Sequence, residues 1–208
     1  MSLFPSSREF ETPRAALRRE LLARRNAVPD PVAREASESA AARVASSRMF
    51  HSAVRIAAYA GLAGELDPAP LVSTALGAGK SLYLPRVLDA GHMDFVRWEA
   101  GEPLHANRFG ILEPLPDSRR TIAPDSLDLV LVPLLGFDAR GNRLGFGAGF
   151  YDRAFAFKLH GAARPVLCGY AYAWQETSLP EAADWDVPLD AVATEQGLRY
   201  FQARAGKG

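Results

Sequence analysis

Cysteine, lysine and long apolar runs are scarce in this 208-residue chain, and each scarcity excludes a class of protein. Cys168 is the only cysteine, so an internal disulfide framework is impossible and a reducing cytoplasm is the expected setting. No run approaches the roughly 18 consecutive apolar residues that a membrane-spanning helix needs. The first ten residues lack a charged region followed by an apolar one, so no signal peptide is predicted.

The charge is balanced, which argues against a nucleic-acid-binding protein. Lys+Arg and Asp+Glu each number 24, so no basic excess attracts polyanions. Lysine occurs only at positions 80, 158 and 207, so nearly all of the positive charge is arginine. The 4 histidines lack the HxxxH or HExxH spacing of a transition-metal site, and no G-x-S-x-G nucleophile elbow occurs. Cys168 lies in an apolar stretch and is interpreted as inert core.

Predicted strands alternate with predicted helices along the chain, which favours an α/β fold with a largely parallel sheet. Helical spacing and capping residues predict helices over residues 12–25, 30–48, 67–77 and 151–159. Short apolar runs predict strands over residues 54–60, 81–84, 93–98, 127–132, 166–172 and 191–194. We expect one domain over residues 1–208, with residues 1–11 flexible.

The most informative segment is residues 141–152, where Gly145, Gly147 and Gly149 alternate between an arginine and an acid. Glycine packs nothing within a strand, so this alternation indicates backbone that closely approaches a ligand. Arg143 before the glycines and Asp152 after them supply a positive charge and a hard oxygen ligand. The loop lies between a predicted strand and a predicted helix, where open α/β sheets bind ligands. The loop therefore predicts a binding site for a phosphate group together with a divalent cation.

Two further charged groups allow both a functional and a structural interpretation. Arg14 and Arg18 lie one helical turn apart, and Arg25 would join them further along the helix. They are either a solvated face or a clamp for phosphate oxygens. Asp186 and Asp190 are candidate cation ligands, but a proline between them disfavours a regular helix. Turn and cap residues are the alternative interpretation of that pair.

Residues 77–81, Gly-Ala-Gly-Lys-Ser, resemble the end of a P-loop. Thr74 occupies the position of the P-loop's first glycine. The segment also leaves a predicted helix and enters a predicted strand, which is the reverse of the P-loop order. We therefore interpret it as a helix C-cap followed by a turn.

Together these motifs resemble the 5-formyltetrahydrofolate cyclo-ligase family, also called methenyltetrahydrofolate synthetase. The centre of the resemblance is a strand, a Gly-Phe-Asp turn at 136–138, and the stretch Arg-Leu-Gly-Phe-Gly-Ala-Gly-Phe-Tyr-Asp at 143–152. Outside that centre, the resemblance rests on residues 14–18, 64–67, 84–86, 92–94, 109–114 and 169–175, and on Asp186, Asp190, Thr194 and Glu195. It thus covers nearly the whole chain.

The resemblance implies a three-layer α/β/α domain and a ligase that depends on ATP and Mg²⁺. The formyl oxygen of 5-formyltetrahydrofolate would attack the γ-phosphate of ATP and give an N5-iminium phosphate. Attack by N10 on the activated carbon and loss of phosphate would leave 5,10-methenyltetrahydrofolate. Since substrate atoms supply both nucleophiles, the protein would supply positioning and charge stabilisation. We expect a cytoplasmic monomer that acts on formyl-folate and ATP, without nucleic-acid or membrane partners.

The resemblance also implies the site residues. ATP would be bound by Arg14 and Arg18 and by the loop residues Arg143, Leu144, Gly145, Phe146, Gly147, Ala148, Gly149, Phe150 and Tyr151. Mg²⁺ would be bound by Asp152 and Asp186, and the folate by Glu65, Phe109, Gly147 and Tyr151. Arg143, Tyr151 and Asp152 would be the catalytic residues.

Three positions depart from the family pattern. Arg14 replaces a lysine, Ala148 stands where some members carry lysine, and Phe150 replaces the first tyrosine of Tyr-Tyr-Asp. The departures at Ala148 and Phe150 motivate an alternative function, a nucleotide- or phospho-metabolite-binding protein without folate turnover. A phosphosugar isomerase is a third possibility, since phosphate-binding α/β folds host many chemistries. It would need an acid/base pair that the sequence does not single out.

Overall fold

A computed structural model describes residues 12–202, so the expected flexibility of residues 1–11 concerns residues outside the described range. The α-helices of this range are α1 (Pro13–Asn26), α2 (Asp30–Ala45), α3 (Arg48–Ser52), α4 (Ala69–Gly77) and α5 (Phe150–Ala154). Short 3-10 helices span Asp89–Gly91, Pro124–Ser126, Ala156–His160 and Ala173–Gln175. Within residues 12–202, no helix combines the length and the apolar character that a membrane crossing requires.

The strands of the described range are β1 (Arg55–Ala57), β2 (Ser81–Val87), β3 (Met93–Arg97), β4 (Leu104–Ala106), β5 (Leu112–Pro114), β6 (Thr121–Ile122), β7 (Leu129–Pro133), β8 (Gly136–Phe137), β9 (Arg143–Leu144), β10 (Val166–Tyr170), β11 (Ala191–Ala193) and β12 (Leu198–Tyr200). Eight of them form one sheet in the order β12-β11-β10-β7-β1-β2-β3-β6. The central strands from β11 to β2 are parallel. Antiparallel pairing occurs on both sides of them, where β12 forms one edge and β3 is followed by the edge strand β6. The predicted α/β fold with a largely parallel sheet is confirmed.

The sheet is covered on both faces, and the central strand β7 shows why its sequence is so apolar. Leu129 and Leu131 pack into the core that includes residues of α2, α3 and α4. Val130 and Val132 pack on the opposite face, in the core that includes Phe155 beside α5. A parallel strand buried on both faces needs a continuous apolar run, which is the pattern that predicted it.

Two predicted helices differ from the observed ones. The helix predicted over 30–48 ends at Ala45, because the Ser47 hydroxyl accepts a 3.3 Å hydrogen bond from the Phe50 N–H and begins α3. The helix predicted over 151–159 is wrong as a single element: α5 ends at Ala154 and a 3-10 helix begins at Ala156. Between them lies Phe155, which is fully buried.

The segment that resembles a P-loop is a helix C-cap, as predicted. Gly79, at φ +71°, follows α4, and its N–H donates to the Leu76 carbonyl at 3.0 Å. The Lys80 N–H donates to the Ala75 carbonyl at 3.0 Å, which completes a Schellman motif. Lys80 Nζ donates to the Ala53 carbonyl at 2.6 Å, so this lysine is a structural residue.

Cys168 lies on β10 and is fully buried. Burial raises the pKa of its thiol to about 12, so the thiolate is strongly disfavoured at neutral pH. The interpretation of this residue as core is confirmed.

Candidate active site

One cleft of about 670 Å³ collects the residues that the sequence singled out. It lies beyond the carboxyl ends of β1 and β7, where Tyr59 and Pro133 line it, as expected for an open α/β sheet. The predicted site residues that line the cleft are Arg14, Arg18, Glu65, Phe109, Arg143, Leu144, Gly145, Phe146, Gly147, Ala148, Gly149, Phe150, Tyr151, Asp152 and Asp186. Their roles in binding and catalysis remain predictions.

The alternating glycines of the loop serve different purposes. Gly147, at φ +104°, and Gly149, at φ +67°, adopt backbone conformations that other residues rarely tolerate. Gly145 has no such conformation, and a Cβ placed on it would meet no atom within 4 Å. Gly147 and Gly149 are therefore required by the backbone, whereas Gly145 leaves open space in the cleft wall.

Arg143 and Asp152 bind each other across the two ends of the loop. Arg143 Nη2 donates to Asp152 Oδ1 at 2.6 Å, and the Val187 N–H donates to the same oxygen at 3.0 Å. Arg143 Nη1 donates to the Val187 carbonyl. The Arg143 side chain is only 6% exposed, and its burial lowers the pKa of the guanidinium against the opposing effect of Asp152 and Asp186. The two residues form an ion pair in which the arginine is buried and the aspartate is partly exposed.

Asp186 is bound to Arg14 of α1. Arg14 Nη2 donates to Asp186 Oδ2 at 2.6 Å, and the Ala183 N–H donates to the same oxygen at 2.9 Å. Asp190 does not line the cleft: its Oδ2 accepts from the Leu167 N–H at 2.7 Å and pairs with Lys158 Nζ at 3.0 Å. For Asp190 the structure therefore supports the turn-and-cap interpretation.

The donor set of the cleft fits Mg²⁺ better than a transition metal. Asp152 Oδ2 and Asp186 Oδ1 accept no hydrogen bond from residues 12–202. In that same range, no group of three or more His, Cys, Asp or Glu side chains could hold a metal ion. Mg²⁺ is commonly bound by one or two carboxylates together with water and substrate phosphates. Asp152 and Asp186 would be these carboxylates.

Two arginines hold carbonyl groups of the glycine loop. Arg18 Nε donates to the Gly145 carbonyl at 2.8 Å, from one turn beyond Arg14 on α1. Arg153 Nη2 donates to the Ala148 carbonyl at 2.6 Å, and its Nε donates to the Gly91 carbonyl at 2.8 Å. Arg153 lines the cleft and is a residue that the sequence reasoning did not assign to the site. Its position directly after Tyr-Asp was the available signal.

Glu65 lines the other end of the cleft and is bound on both oxygens. Its Oε1 accepts from Arg25 Nη1 at 3.0 Å, and its Oε2 accepts from the Leu62 N–H at 3.0 Å. Burial raises the pKa of Glu65, while the Leu62 N–H and the Arg25 charge oppose that rise. The expectation that Arg25 joins Arg14 and Arg18 is wrong. The residues share a helix face, but Arg25 lies about 16 Å along the axis from Arg14.

Aromatic and apolar side chains form the wall beside Glu65. Phe109, between β4 and β5, meets Phe150 edge to face at 5.8 Å. Tyr151 stacks on Phe155 at 6.2 Å, and burial raises the pKa of its phenol. The wall also includes residues that the sequence reasoning did not assign to the site: Tyr59, Pro85, Val87, Met93, Ile111, Glu113 and Trp185. The cleft thus has a charged end and an apolar end.

The fold and the cleft define an α/β protein whose glycine-rich loop and charged side chains lie beside an aromatic and apolar wall. The sequence profile of the 5-formyltetrahydrofolate cyclo-ligase family matches residues 11–195, and the chain belongs to that family. The resemblance seen in the motifs is confirmed.

Named relatives and solved structures agree with this membership. The 5-formyltetrahydrofolate cyclo-ligase of Escherichia coli K12 is 36% identical over 173 residues, which are 82% of this chain and 94% of the relative. The 5,10-methenyltetrahydrofolate synthetase of Aquifex aeolicus, solved by NMR, superposes with a TM-score of 0.77 at 30% identity. That superposition covers 95% of this chain and 96% of the other. A synthetase from Mycoplasma pneumoniae, at 24% identity and a TM-score of 0.69, has the same fold.

Proposed function

We propose that this protein is a 5-formyltetrahydrofolate cyclo-ligase that uses ATP and Mg²⁺ to form 5,10-methenyltetrahydrofolate. Its family and the names of its relatives support the activity. The observation that carries the proposal is the division of one cleft into two ends. The charged end suits a triphosphate, and the apolar end, where Glu65 can accept hydrogen bonds, suits a folate ring.

At the charged end, the triphosphate would meet charges that are already in place. Arg14 and Arg143 are held by Asp186 and Asp152, and the loop backbone is held by Arg18. Asp152 and Asp186 would bind Mg²⁺, which neutralises phosphate charge when it is bound with ATP. Groups that are fixed before the reaction need no reorganisation as charge develops, which favours phosphoryl transfer.

The chemistry requires positioning of the two substrates rather than a nucleophile from the protein. The formyl oxygen bonds to the γ-phosphorus and ADP leaves, which gives an N5-iminium phosphate. The N10 lone pair then bonds to the activated carbon and N10 loses its proton. The C–O bond breaks and the former formyl oxygen leaves with phosphate. Holding the two substrates in register can supply several kcal/mol of the barrier.

Tyr151 acts in this scheme as a neutral hydrogen-bonding group. Because burial raises the pKa of its phenol, Tyr151 stays protonated at neutral pH and can donate to a substrate oxygen. It is not the base that accepts the N10 proton. A phenylalanine at this position should therefore lower the rate without shifting its pH dependence.

The departures at positions 148 and 150 do not favour the non-catalytic alternative. Phe150 packs against Phe109, and its ring lies 5.6 Å from the Arg153 guanidinium carbon, so the phenyl group has its own partners. The Ala148 carbonyl accepts the Arg153 hydrogen bond, which any side chain at that position would allow. Phe150 removes a hydroxyl and no charge, and Ala148 lacks the lysine charge of some members while the arginines of the cleft stay in place.

The proposal is tested with purified protein, 5-formyltetrahydrofolate, ATP and Mg²⁺, by following the absorbance of the methenyl product. We expect turnover that disappears when ATP or Mg²⁺ is omitted. Folded protein that gives no methenyl product would overturn the proposal. If calorimetry then showed ATP–Mg²⁺ binding without turnover, the non-catalytic alternative would be favoured instead.

A further inference from the structure

Arg25 and Glu65 form an ion pair that is almost completely withdrawn from water. Arg25 Nη1 lies 3.0 Å from Glu65 Oε1, and the two side chains are 4% and 6% exposed. Burying two opposite charges costs both of them their hydration, and their mutual attraction often only offsets that cost. Arg25 Nε is also buried and has no hydrogen-bond partner among the described residues. A pair selected for stability alone would have its donors satisfied.

Arg25 lies behind Glu65 relative to the cleft. Glu65 is among the residues that line the cleft, and Arg25 is not. The Arg25 guanidinium carbon lies 5.1 Å from the centre of the Phe146 ring, which does line the cleft. The guanidinium is therefore fixed between the acid at the apolar end and the glycine loop at the charged end. Its hydrogen bond goes to Glu65, and it has no open path to a ligand.

The backbone around Glu65 is built for close approach to the end of α1. Gly64 has φ +79°, and a Cβ on it would lie 3.0 Å from the Arg25 carbonyl oxygen. That contact is too tight for an ordinary side chain, so only glycine allows this approach. The Leu62 N–H fixes the second oxygen of Glu65 at 3.0 Å. Glu65 is thus held at both oxygens and along its backbone.

A carboxylate held in this way has a definite recognition chemistry. Each carboxylate oxygen can accept two hydrogen bonds, and each Glu65 oxygen uses one for the protein. The remaining positions suit two parallel N–H groups, such as an amino group beside a ring N–H on a flat heterocycle. The carboxylate must be ionised to accept both.

We propose that Arg25 is a positioning residue for substrate recognition, which holds Glu65 ionised and in one orientation for the N–H edge of the folate ring. The proposal rests on the proposed function and deepens it. Arg25 itself does not touch the folate. Loss of Arg25 should therefore weaken folate binding through Glu65, and should leave the binding of ATP nearly unchanged.

The groups that face Glu65 define its pH response. Arg25 faces it from α1, and the phenols of Tyr59, Tyr151 and Tyr172 face it from other elements. The pKa of each phenol is raised by burial, so the three tyrosines stay neutral below pH 8. Burial raises the pKa of Glu65 while Arg25 lowers it. Folate binding should therefore weaken as the pH drops through the Glu65 pKa. Without Arg25 that pKa is higher, so the weakening should begin at a higher pH than in the wild type.

The test compares wild-type and variant proteins between about pH 5 and pH 8. Calorimetry without ATP measures the binding of 5-formyltetrahydrofolate, and steady-state kinetics give the KM values for the folate and for ATP. In Arg25→Met we expect folate binding about ten-fold weaker at neutral pH. The acid limb, which is the low-pH part of the curve of folate affinity against pH, should move up by about one to three pH units. Arg25→Lys keeps the charge and should restore the wild-type limb. Arg24→Met is the matched control, because Arg24 is exposed and contacts the Trp174 ring instead.

A double-mutant cycle covers the case in which Arg25→Met fails to fold, since Arg25→Met/Glu65→Gln carries no unpaired buried charge. The double variant should bind folate as Glu65→Gln alone does, because Arg25 acts only through Glu65. An additional loss in the double variant, or an unmoved acid limb in Arg25→Met, would overturn the proposal. Wild-type protein that neither binds nor converts the folate would instead overturn the proposed function.

Discussion

Arg143 donates a 2.6 Å hydrogen bond to Asp152, and this bond joins the residue before the glycine loop to the residue after it. The loop between them is therefore closed at its base by protein groups alone. The same Asp152 oxygen accepts the Val187 N–H, which ties the base of the loop to the segment that follows Asp186. Arg143, predicted to bind phosphate, and Asp152, predicted to bind the metal ion, are thus bonded to each other, and each sets the position of the other.

Replacement of Asp152 should separate catalysis from stability. Asp152→Ala leaves the buried Arg143 guanidinium and the Val187 N–H without their shared acceptor, so we expect a loss of about 1–3 kcal/mol in the free energy of unfolding. Asp152→Asn keeps an acceptor oxygen and should lose less. Both variants should lose Mg²⁺-dependent turnover. Urea unfolding and the rate as a function of Mg²⁺ concentration measure the two effects, and an Asp152→Asn enzyme with wild-type Mg²⁺ dependence would remove this residue from the metal site.

Arg18→Ala should mainly raise the KM for ATP. Its guanidinium positions the Gly145 carbonyl and lies along Gly147, so its removal loosens the loop and takes away a charge that would face the phosphates. A phosphate that is not transferred contributes binding equally to the ground state and the transition state, so kcat should change little. Steady-state kinetics with varied ATP and saturating folate measure this split. An unaltered KM for ATP would leave Arg18 a purely structural residue.

Two alanine substitutions in the loop should have opposite effects. Gly149→Ala places a side chain at φ +67° and a Cβ 3.0 Å from Arg153 Nη1, so we expect a loss of about 1–2 kcal/mol in stability. Gly145→Ala meets no protein atom within 4 Å and should leave the thermal midpoint unchanged. It should nevertheless weaken ATP binding, because the new methyl group occupies the space that the loop leaves open. Equal midpoints for the two variants would contradict this distinction.

Arg153→Ala should also weaken ATP binding, although no charged side chain pairs with Arg153 in the described structure. In a planar trans peptide the carbonyl and the following N–H point in opposite directions, so fixing the Ala148 carbonyl also fixes the direction of the Gly149 N–H. Without Arg153 that peptide is free to turn. Calorimetry with ATP and Mg²⁺ measures the loss, and Arg153→Lys should recover part of the affinity as a single-point donor. Equal affinity in the alanine variant would show that the loop holds its shape alone.

Much of the fold was predictable because burial leaves a periodic trace in the sequence. Strand β7 is buried on both faces, so a continuous apolar run predicted it. Helix α1 was predicted by its threonine cap and the proline that follows. The short strands β8 and β9, with 2 residues each, have no such trace, because two residues cannot establish a period. The break at Phe155 was also hidden. Helical spacing continues through it, but the ring packs against Phe95 and Phe157, so tertiary packing outweighs local propensity.

The loop and charged residues of the cleft were predictable, whereas much of its apolar wall and its internal bonds were not. Ordered motifs indicated which residues meet, but a motif carries no record of which atoms pair. Arg25 shows the reason: the period of a helix gives the face on which a residue lies, while its distance along the axis decides its partner. Arg25 therefore binds Glu65, although it shares a face with Arg14 and Arg18.

The central claim is that the formyl oxygen bonds to the γ-phosphorus of ATP and later leaves with phosphate. The most direct measurement follows that oxygen. 5-Formyltetrahydrofolate labelled with ¹⁸O in the formyl group is converted with ATP and Mg²⁺, and the released phosphate is analysed by mass spectrometry. The account predicts one ¹⁸O in the inorganic phosphate for each methenyl product formed, and none in ADP. Methenyl product accompanied by unlabelled phosphate, with the label in water, would contradict it.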